Sequence, residues 1–287
     1  MATVKKATIE LFDKIYPLLQ HFAIKELAKD EWRQLLGCRW SSIYDHFGYV
    51  LLDGDKVVGF LGTFFHERQI AEKKHSICNL FCWYVLEEYR RESLLLILAV
   101  LNLQNTTVTS LTPSREAGLV LERFKFTPLE CSLKIFTFFS AFAGSAKAVL
   151  STDSAFISSR LDPHDLVVFR DHALPNCRHL ICTDPDDEKS YCYLVFNKIR
   201  KKKISFTQIY YVSNPRLLRK WFPRIQRFFC KTNHTLFSVI DKRLVKNNCP
   251  AGGFDYTLRY PRLFRSADFA PARLDNLYTE LLFLKKV

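Results

Sequence analysis

The sequence predicts a mixed α/β fold, a mixed sheet covered by helices, built as two related halves. Three observations carry this. "FGYVLLDGDKVVGFLGTFF" shows two β-rich runs around Asp53-Gly54, a direct hairpin signal. "NLFCWYVLEEYRRESLLLIL" passes from strand through a charged turn into an apolar helix. The order helix, hairpin, strand, helix, strand then recurs after residue 150.

The elements follow in order. Residues 8–36 place Ile9, Phe12, Ile15, Leu19 and Phe22 at helical spacing, and Pro17 divides the stretch into two short helices. After the hairpin a third strand spans His75 to Leu86. The helix after Arg91 ends near Asn102, and "TTVTSLT" is a short β-branched strand. "PSREAGLVLERFKF" opens a helix with Thr112 as N-cap and Pro113 at its first position. "SLKIFTFF" closes the first half as a strand.

In the second half Asp162 to His172 is helical and "CRHLICTD" strand-like. "YCYLVFNKIRKKKISFTQIYYV" is a hairpin with a basic turn, "NPRLLRKWFPRIQRFFCK" a helix interrupted near Pro223, and "TLFSVID" a strand. Small residues from Gly144 to Ser154 mark the junction, giving domains at 1–148 and 149–287, the halves of a diverged duplication.

At 287 residues and 48% apolar composition the chain can bury a large core. No apolar run reaches the ~18 residues needed to cross a bilayer, and Glu10, Asp13 and Lys14 interrupt any signal-peptide core. Nine irregularly spaced cysteines form no zinc set; Cys78 and Cys82 have no second pair, so core thiols and no metal are expected. A reduced, soluble, cytoplasmic protein follows as the expectation. The net charge of +13 divides into +2 over residues 1–150 and +11 over 151–287, which assigns any anionic partner to the second half.

The turn at Glu87 to Arg91 carries the chemistry. A strand-to-helix junction leaves backbone N–H groups unpaired at the positive end of a helix dipole. A diphosphate can sit there, and Arg90 and Arg91 add charge. In element order and spacing, residues 8–140 resemble the GNAT superfamily of acyl-CoA N-acyltransferases. That family's fingerprint is a central strand, an Arg/Gln-x-x-Gly-x-Gly/Ala turn, a helix, a strand, and a helix ending in Gly-Phe. The resemblance implies a tandem GNAT-like acyl-CoA N-acyltransferase fold, with a degenerate second copy in the C-terminal half. It implies that amides around Arg90, Arg91, Ser93, Leu94 and Leu95 receive the diphosphate of acetyl-CoA or a longer acyl-CoA. It further implies that Trp83, Tyr84 and Val85 pair with the pantetheine arm and orient the thioester.

The sequence departs from that pattern at the small residues. Ser93 stands at the first glycine and Leu95 at the second, so Leu95 is expected to point into the core. Glu92 is tolerable only if it turns away. Leu121 holds the place of the tyrosine that protonates the leaving thiolate in many members, and Lys125 that of the glycine. For a base, His75 and Glu87 are the candidates, with Asn79, Cys82 and Glu88 nearby; none is singled out.

The reading is an acyltransferase passing an acyl group from acyl-CoA, or from an acidic acyl carrier protein, to a small-molecule amine. Its alternative is a catalytically inactive GNAT-like protein that binds a ligand or an acidic partner. The second half offers no phosphate turn, since Pro215 removes a donor. Its helix carries Arg216, Arg219, Lys220, Arg224, Arg227 and Lys231 opposite an apolar arc, a pattern that suits an anionic membrane, an acidic protein or a sheet it covers. Nucleic acid ranks below these, because no RRM, KH or helix-turn-helix signature accompanies the charge.

Overall fold

A computed structural model describes residues 2–22, 27–38, 40–70, 73–129, 132–142, 144, 147–187, 189–201, 203–267, 271 and 274–283. It contains two seven-stranded mixed sheets. In the first, β1 (Thr3–Lys6), β2 (Gly48–Asp53), β3 (Lys56–Ile70) and β4 (Lys73–Val85) are antiparallel neighbours in that order. β5 (Thr106–Ser110) then runs parallel to β4. β6 (Thr127–Pro128) lies at the far edge. The second sheet begins with β7 (Ser132–Thr137), continues through β8 (Val149–Ser151), β9 (Arg178–Thr183), β10 (Tyr191–Lys201), β11 (Ile204–Val212) and β12 (Phe237–Asp241), and includes β13 (Phe254–Thr257). β8 to β11 are antiparallel, and β11 is parallel to β12.

The two sheets therefore repeat one topology, but each is completed from the other end of the chain. β14 (Leu263–Arg265) inserts between β5 and β6 of the first sheet. β7, expected to close the first half, pairs with β12 and β13 instead. The compact units are accordingly Met1–Leu129 with Tyr260–Arg273 and Tyr278–Leu281, and Glu130–Arg259 with Leu274–Leu277 and Leu282–Val287. No single cut near 148 separates them. Strand pairing between distant segments is invisible to local periodicity, which explains the difference.

The helices of the first unit are α1 (Phe12–Leu19), α2 (Lys29–Gly37), α3 (Leu94–Leu101) and α4 (Arg115–Arg123). Pro17 does not break α1; it sits on the exposed side, where the carbonyl it leaves unpaired can reach water. α4 starts two residues later than expected, with Ser114 as its N-cap accepting from the Ala117 N–H, which leaves Thr112 for another role. Leu96, Ile97 and Val100 of α3 pack on Leu51, Val58, Leu61, Cys78, Leu80 and Val108 in the first core. The hairpin turn is Gly54-Asp55, with Asp53 opposite Lys56 and Gly54 at φ 56°, a backbone region glycine enters at little cost.

In the second unit α5 (Ser154–Arg160) and α6 (Pro163–Asp171) precede β9, α7 (Pro215–Thr232) joins β11 to β12, and α8 (Lys242–Val245) follows β12. α7 runs unbroken through Pro223, because Trp221, Phe222, Ile225 and Phe229 are anchored in the second core. Its apolar arc is thus spent on the sheet. Among the described residues no helix is long and apolar enough to cross a membrane.

Candidate functional site at the fork between β4 and β5

The β4–β5 ladder runs from Ser76–Thr106 to Leu80–Ser110 and stops. β4 continues to Val85 while still pairing with β3. β5 ends at Ser110, so residues 81–85 extend past the last rung shared with it, and the fork is the place where β4 runs on beyond its parallel neighbour. A β-bulge sits at that point: Cys82 and Trp83 on β4 oppose Leu61 alone on β3, and Cys82 takes φ 50°. Such a bulge twists the strand and re-aims its backbone groups, while positive φ at a non-glycine residue is costly. Gly62 makes room for it, since a Cβ there would lie 2.7 Å from the Phe81 ring. Phe81 in turn stacks on Phe64 at 4.3 Å.

The base of the fork is closed by four polar side chains that sequence reasoning did not bring together. Thr109 Oγ1 donates to Asn79 Oδ1 (3.0 Å), and Asn79 Nδ2 donates to a Glu280 carboxylate oxygen. Thr112 Oγ1 donates to the other Glu280 oxygen (2.6 Å). Glu280 comes from the last ten residues of the described chain and spans β4 and the segment after β5. It is buried, and desolvation pushes its carboxyl above the ordinary range against the opposing hydrogen bonds from Thr112 and Asn79. Cys82 lies close enough for the two charges to interact, and burial raises its thiol well above the usual value, so it is no thiolate nucleophile. Only Asn79 and Cys82 of this group stood near the fork in the sequence reading. Asn79, polar within the run Ile77 to Val85 of a central strand, is the available signal; nothing local points to Glu280.

The expected donor-binding residues divide. Val85 is buried against Gly59, Trp83 is half-buried at the edge of the first core, and Tyr84 is covered by His21, ring to ring at 4.5 Å. Past the bulge, Glu87–Glu92 forms a 3-10 turn that leads into α3. The Ser93 N–H donates to the Arg90 carbonyl and the Leu96 N–H to the Ser93 carbonyl, each at 3.2 Å. The amides of Leu94 and Leu95 lie in the first turn, where helical geometry supplies no acceptor. The Ser93 amide is thus taken, and of the expected residues Leu94 and Leu95 have their amides at the helix start. Arg90 and Arg91 are exposed beside it, and Arg90 is 3.7 Å from Glu87.

Two expectations at this turn change. Leu95 does not enter the core; it is 38% exposed, as Leu94 and Leu98 are similarly, because Leu96, Ile97 and Val100 already fill the buried face. Glu92 does turn away, its carboxylate accepting the Ala2 N–H at 3.0 Å. Of the proposed bases, His75 stands at the opposite end of the ladder, beside Arg68 and before its first rung, so the strand holds it away from the fork. Glu87 is a surface carboxylate paired with Arg90.

The second sheet repeats the bulge, but its helix start is closed by a side chain. β11 carries an extra residue, Tyr210, at its own bulge, and the β11–β12 ladder ends at Ile209–Ile240. There the Asn214 side chain takes the Leu217 N–H (3.2 Å) and Pro215 has no N–H to offer, so the α7 N-terminus is capped from within. Cys78 lies in the first core. One group of potential metal ligands occurs among the described residues: Asp162, His164 and Asp165, with ligand atoms within 4.8 Å of one another. Its carboxylates are already engaged: Asp162 caps α6, and Asp165 accepts from Tyr191 (2.8 Å) and Tyr211 (2.6 Å).

No protein-family model matches this sequence, and no curated protein matches it. Solved structures do. A GCN5-related N-acetyltransferase from Kribbella flavida superposes with a TM-score of 0.61 over 93% of this chain and 72% of its own, at 11% identity. One from Anabaena variabilis gives 0.59, over 93% and 73%, at 14% identity. Saccharomyces cerevisiae N-myristoyltransferase with bound myristoyl-CoA gives 0.53, over 94% and 80%, at 9% identity. With its sheet topology and a bulged central strand that runs on past its parallel neighbour, the chain has the mixed α/β fold of the GCN5-related N-acetyltransferases.

Proposed function

We propose that the first unit transfers an acyl group from an acyl thioester to an amine at the β4–β5 fork. The single observation that carries this reading is the fork itself, with a bulge at its apex and a buried carboxylate at its base. Backbone groups of residues 81–85 would hold the donor's amide-bearing arm as an added strand. The Leu94 and Leu95 amides, with Arg90 and Arg91 beside them, suit a diphosphate. The thioester carbonyl then sits near the bulge, where a re-aimed N–H can meet the developing oxyanion.

Glu280 supplies the base. A carboxyl whose proton affinity is raised by burial is a stronger acceptor for the proton of an attacking ammonium than an ordinary surface carboxylate. The amine nitrogen forms its bond to the carbonyl carbon, the C–S bond breaks, and the sulfur leaves as thiolate or, after protonation by solvent, as thiol. Leu121 is buried and donates no proton, so solvent must serve there. Neighbours of this fold include acetyltransferases and a myristoyl-CoA-bound enzyme, which supports acyl-CoA as the donor class.

A binding-only reading draws on one observation: the Ser93 amide is consumed by the Arg90 carbonyl, so the diphosphate site has lost a donor. Calorimetric titration with acetyl-CoA and longer acyl-CoAs, followed by thiol release with a panel of amines, separates the two. Binding with amine-dependent thiol release supports transfer; binding without release supports the second reading. No heat at high micromolar donor, or heat unchanged in Arg90→Ala/Arg91→Ala, removes the donor site.

A further inference from the structure

The 3-10 turn Phe138–Phe142, which follows β7 in the second unit, exposes Phe138, Phe139 and Phe142 by 36%, 68% and 74%. Its other two members, Ser140 and Ala141, are buried. What the turn offers to solvent is therefore hydrocarbon, three rings within five residues, an apolar patch of the kind that marks contact sites on soluble proteins. Phe138 and Phe139 lie against each other with ring centroids 4.0 Å apart.

The turn is seated on α7. Arg227 of that helix donates to the Ala141 carbonyl at 2.8 Å, and a Cβ on Gly144 would come within 3.7 Å of the Pro223 ring. At about 100° per residue, Arg216, Lys220, Arg224, Arg227 and Lys231 fall within roughly an 80° arc of α7, and all five are exposed. Lys220 is paired with Asp184 at 3.0 Å, at the end of the helix nearer the acidic loop that also holds Asp186 and Asp187. Arg224, Arg227 and Lys231 have no carboxylate partner among the described residues. They belong to the half of the helix that packs on the phenylalanine turn.

We propose that the Phe138–Phe142 turn and the Arg224, Arg227 and Lys231 row of α7 form a surface that docks on an anionic lipid bilayer. The charges would meet lipid phosphates and carboxylates, and the phenylalanines would enter the boundary between headgroups and acyl chains. The apolar arc of α7 itself plays no part, since it is buried on the sheet. A bilayer fits better than nucleic acid: the turn exposes no side chain that could hydrogen-bond a base edge, and two of its three rings are packed on each other.

The test uses the full chain with vesicles of phosphatidylcholine alone and with phosphatidylserine added, read by co-sedimentation at low and high salt. Expected are binding to the anionic vesicles, weakening with salt, and at least a tenfold loss in each of two variants, Phe139→Ser/Phe142→Ser and Arg224→Glu/Lys231→Glu. All four positions are exposed, so unchanged circular dichroism and thermal unfolding are expected and confirm that each variant folds. Three outcomes overturn the proposal: no binding at any composition, binding untouched by both variants, or a dimer by analytical ultracentrifugation that Phe139→Ser/Phe142→Ser abolishes while vesicle binding is absent. Retardation of RNA lost in the same variants, without vesicle binding, overturns it equally.

Discussion

Replacing Glu280 by Gln tests the chemistry of the fork and its energetics in one experiment. The folded carboxyl holds its proton more tightly than the unfolded one, because burial disfavours the charge. Between the unfolded and the raised folded value the native state therefore binds more protons than the unfolded state. Unfolding free energy falls as pH rises through that window, by at most about 1.4 kcal/mol per pH unit for one group. Catalysis needs the carboxylate, so activity rises over the same window. Stability and rate thus move in opposite directions on one titration.

Glutamine keeps the shape and an oxygen for the Asn79 amide, and Thr112 can turn its hydroxyl to accept. Glu280→Gln is expected to be at least as stable as the parent at the alkaline end of that window, to lose this group's contribution to the pH slope, and to be slower by about 10²–10⁴. Glu280→Ala is expected to be as inactive but also destabilised. It strands the fully buried Asn79 amide, a cost of about 1–3 kcal/mol. Urea unfolding at a series of pH values, paired with thiol-release rates, reads both quantities. A Glu280→Gln protein with undiminished rate and the parent's pH slope of stability would refute the assignment of both the base and its raised proton affinity.

Three other outcomes follow from the same geometry. Thr112→Val removes a hydrogen bond that favours the charged carboxylate, so the acid limb of the rate profile should move to higher pH with little loss at its plateau. Gly62→Ala puts a Cβ 2.7 Å from the Phe81 ring, which should cost about 1–3 kcal/mol and weaken donor binding by disturbing the bulge; denaturation and calorimetry check the two parts. In the second unit the Arg243 guanidinium grips Asp241 through three hydrogen bonds at 3.0, 3.2 and 2.7 Å and also donates to Asn276. Arg243→Ala leaves a buried aspartate without its cation and should cost about 3–5 kcal/mol in urea unfolding.

Much of the scaffold was legible along the chain. Asp53-Gly54 marked the first hairpin, the apolar runs marked β4 and α3, and Asn214-Pro215 marked the start of α7. These signals are local, since turn chemistry and side-chain periodicity act over a few residues. The sequence also located the turn at Glu87 to Arg91 and the basic character of α7. It misjudged both prolines, because Pro17 and Pro223 break a helix only when packing does not hold the flanking turns.

What the amino-acid order determined by itself was the succession of strands and helices and the place of the strand-to-helix turn at Glu87 to Arg91. Tertiary structure alone decided that β7 and β14 complete each other's sheets, that Leu95 faces solvent, and that His75 stands away from the fork. It alone placed Glu280 beside Asn79, 201 residues distant in sequence. The physical reason is that strand exchange and buried polar partners depend on distant segments meeting, and no periodicity or spacing within either segment records the other.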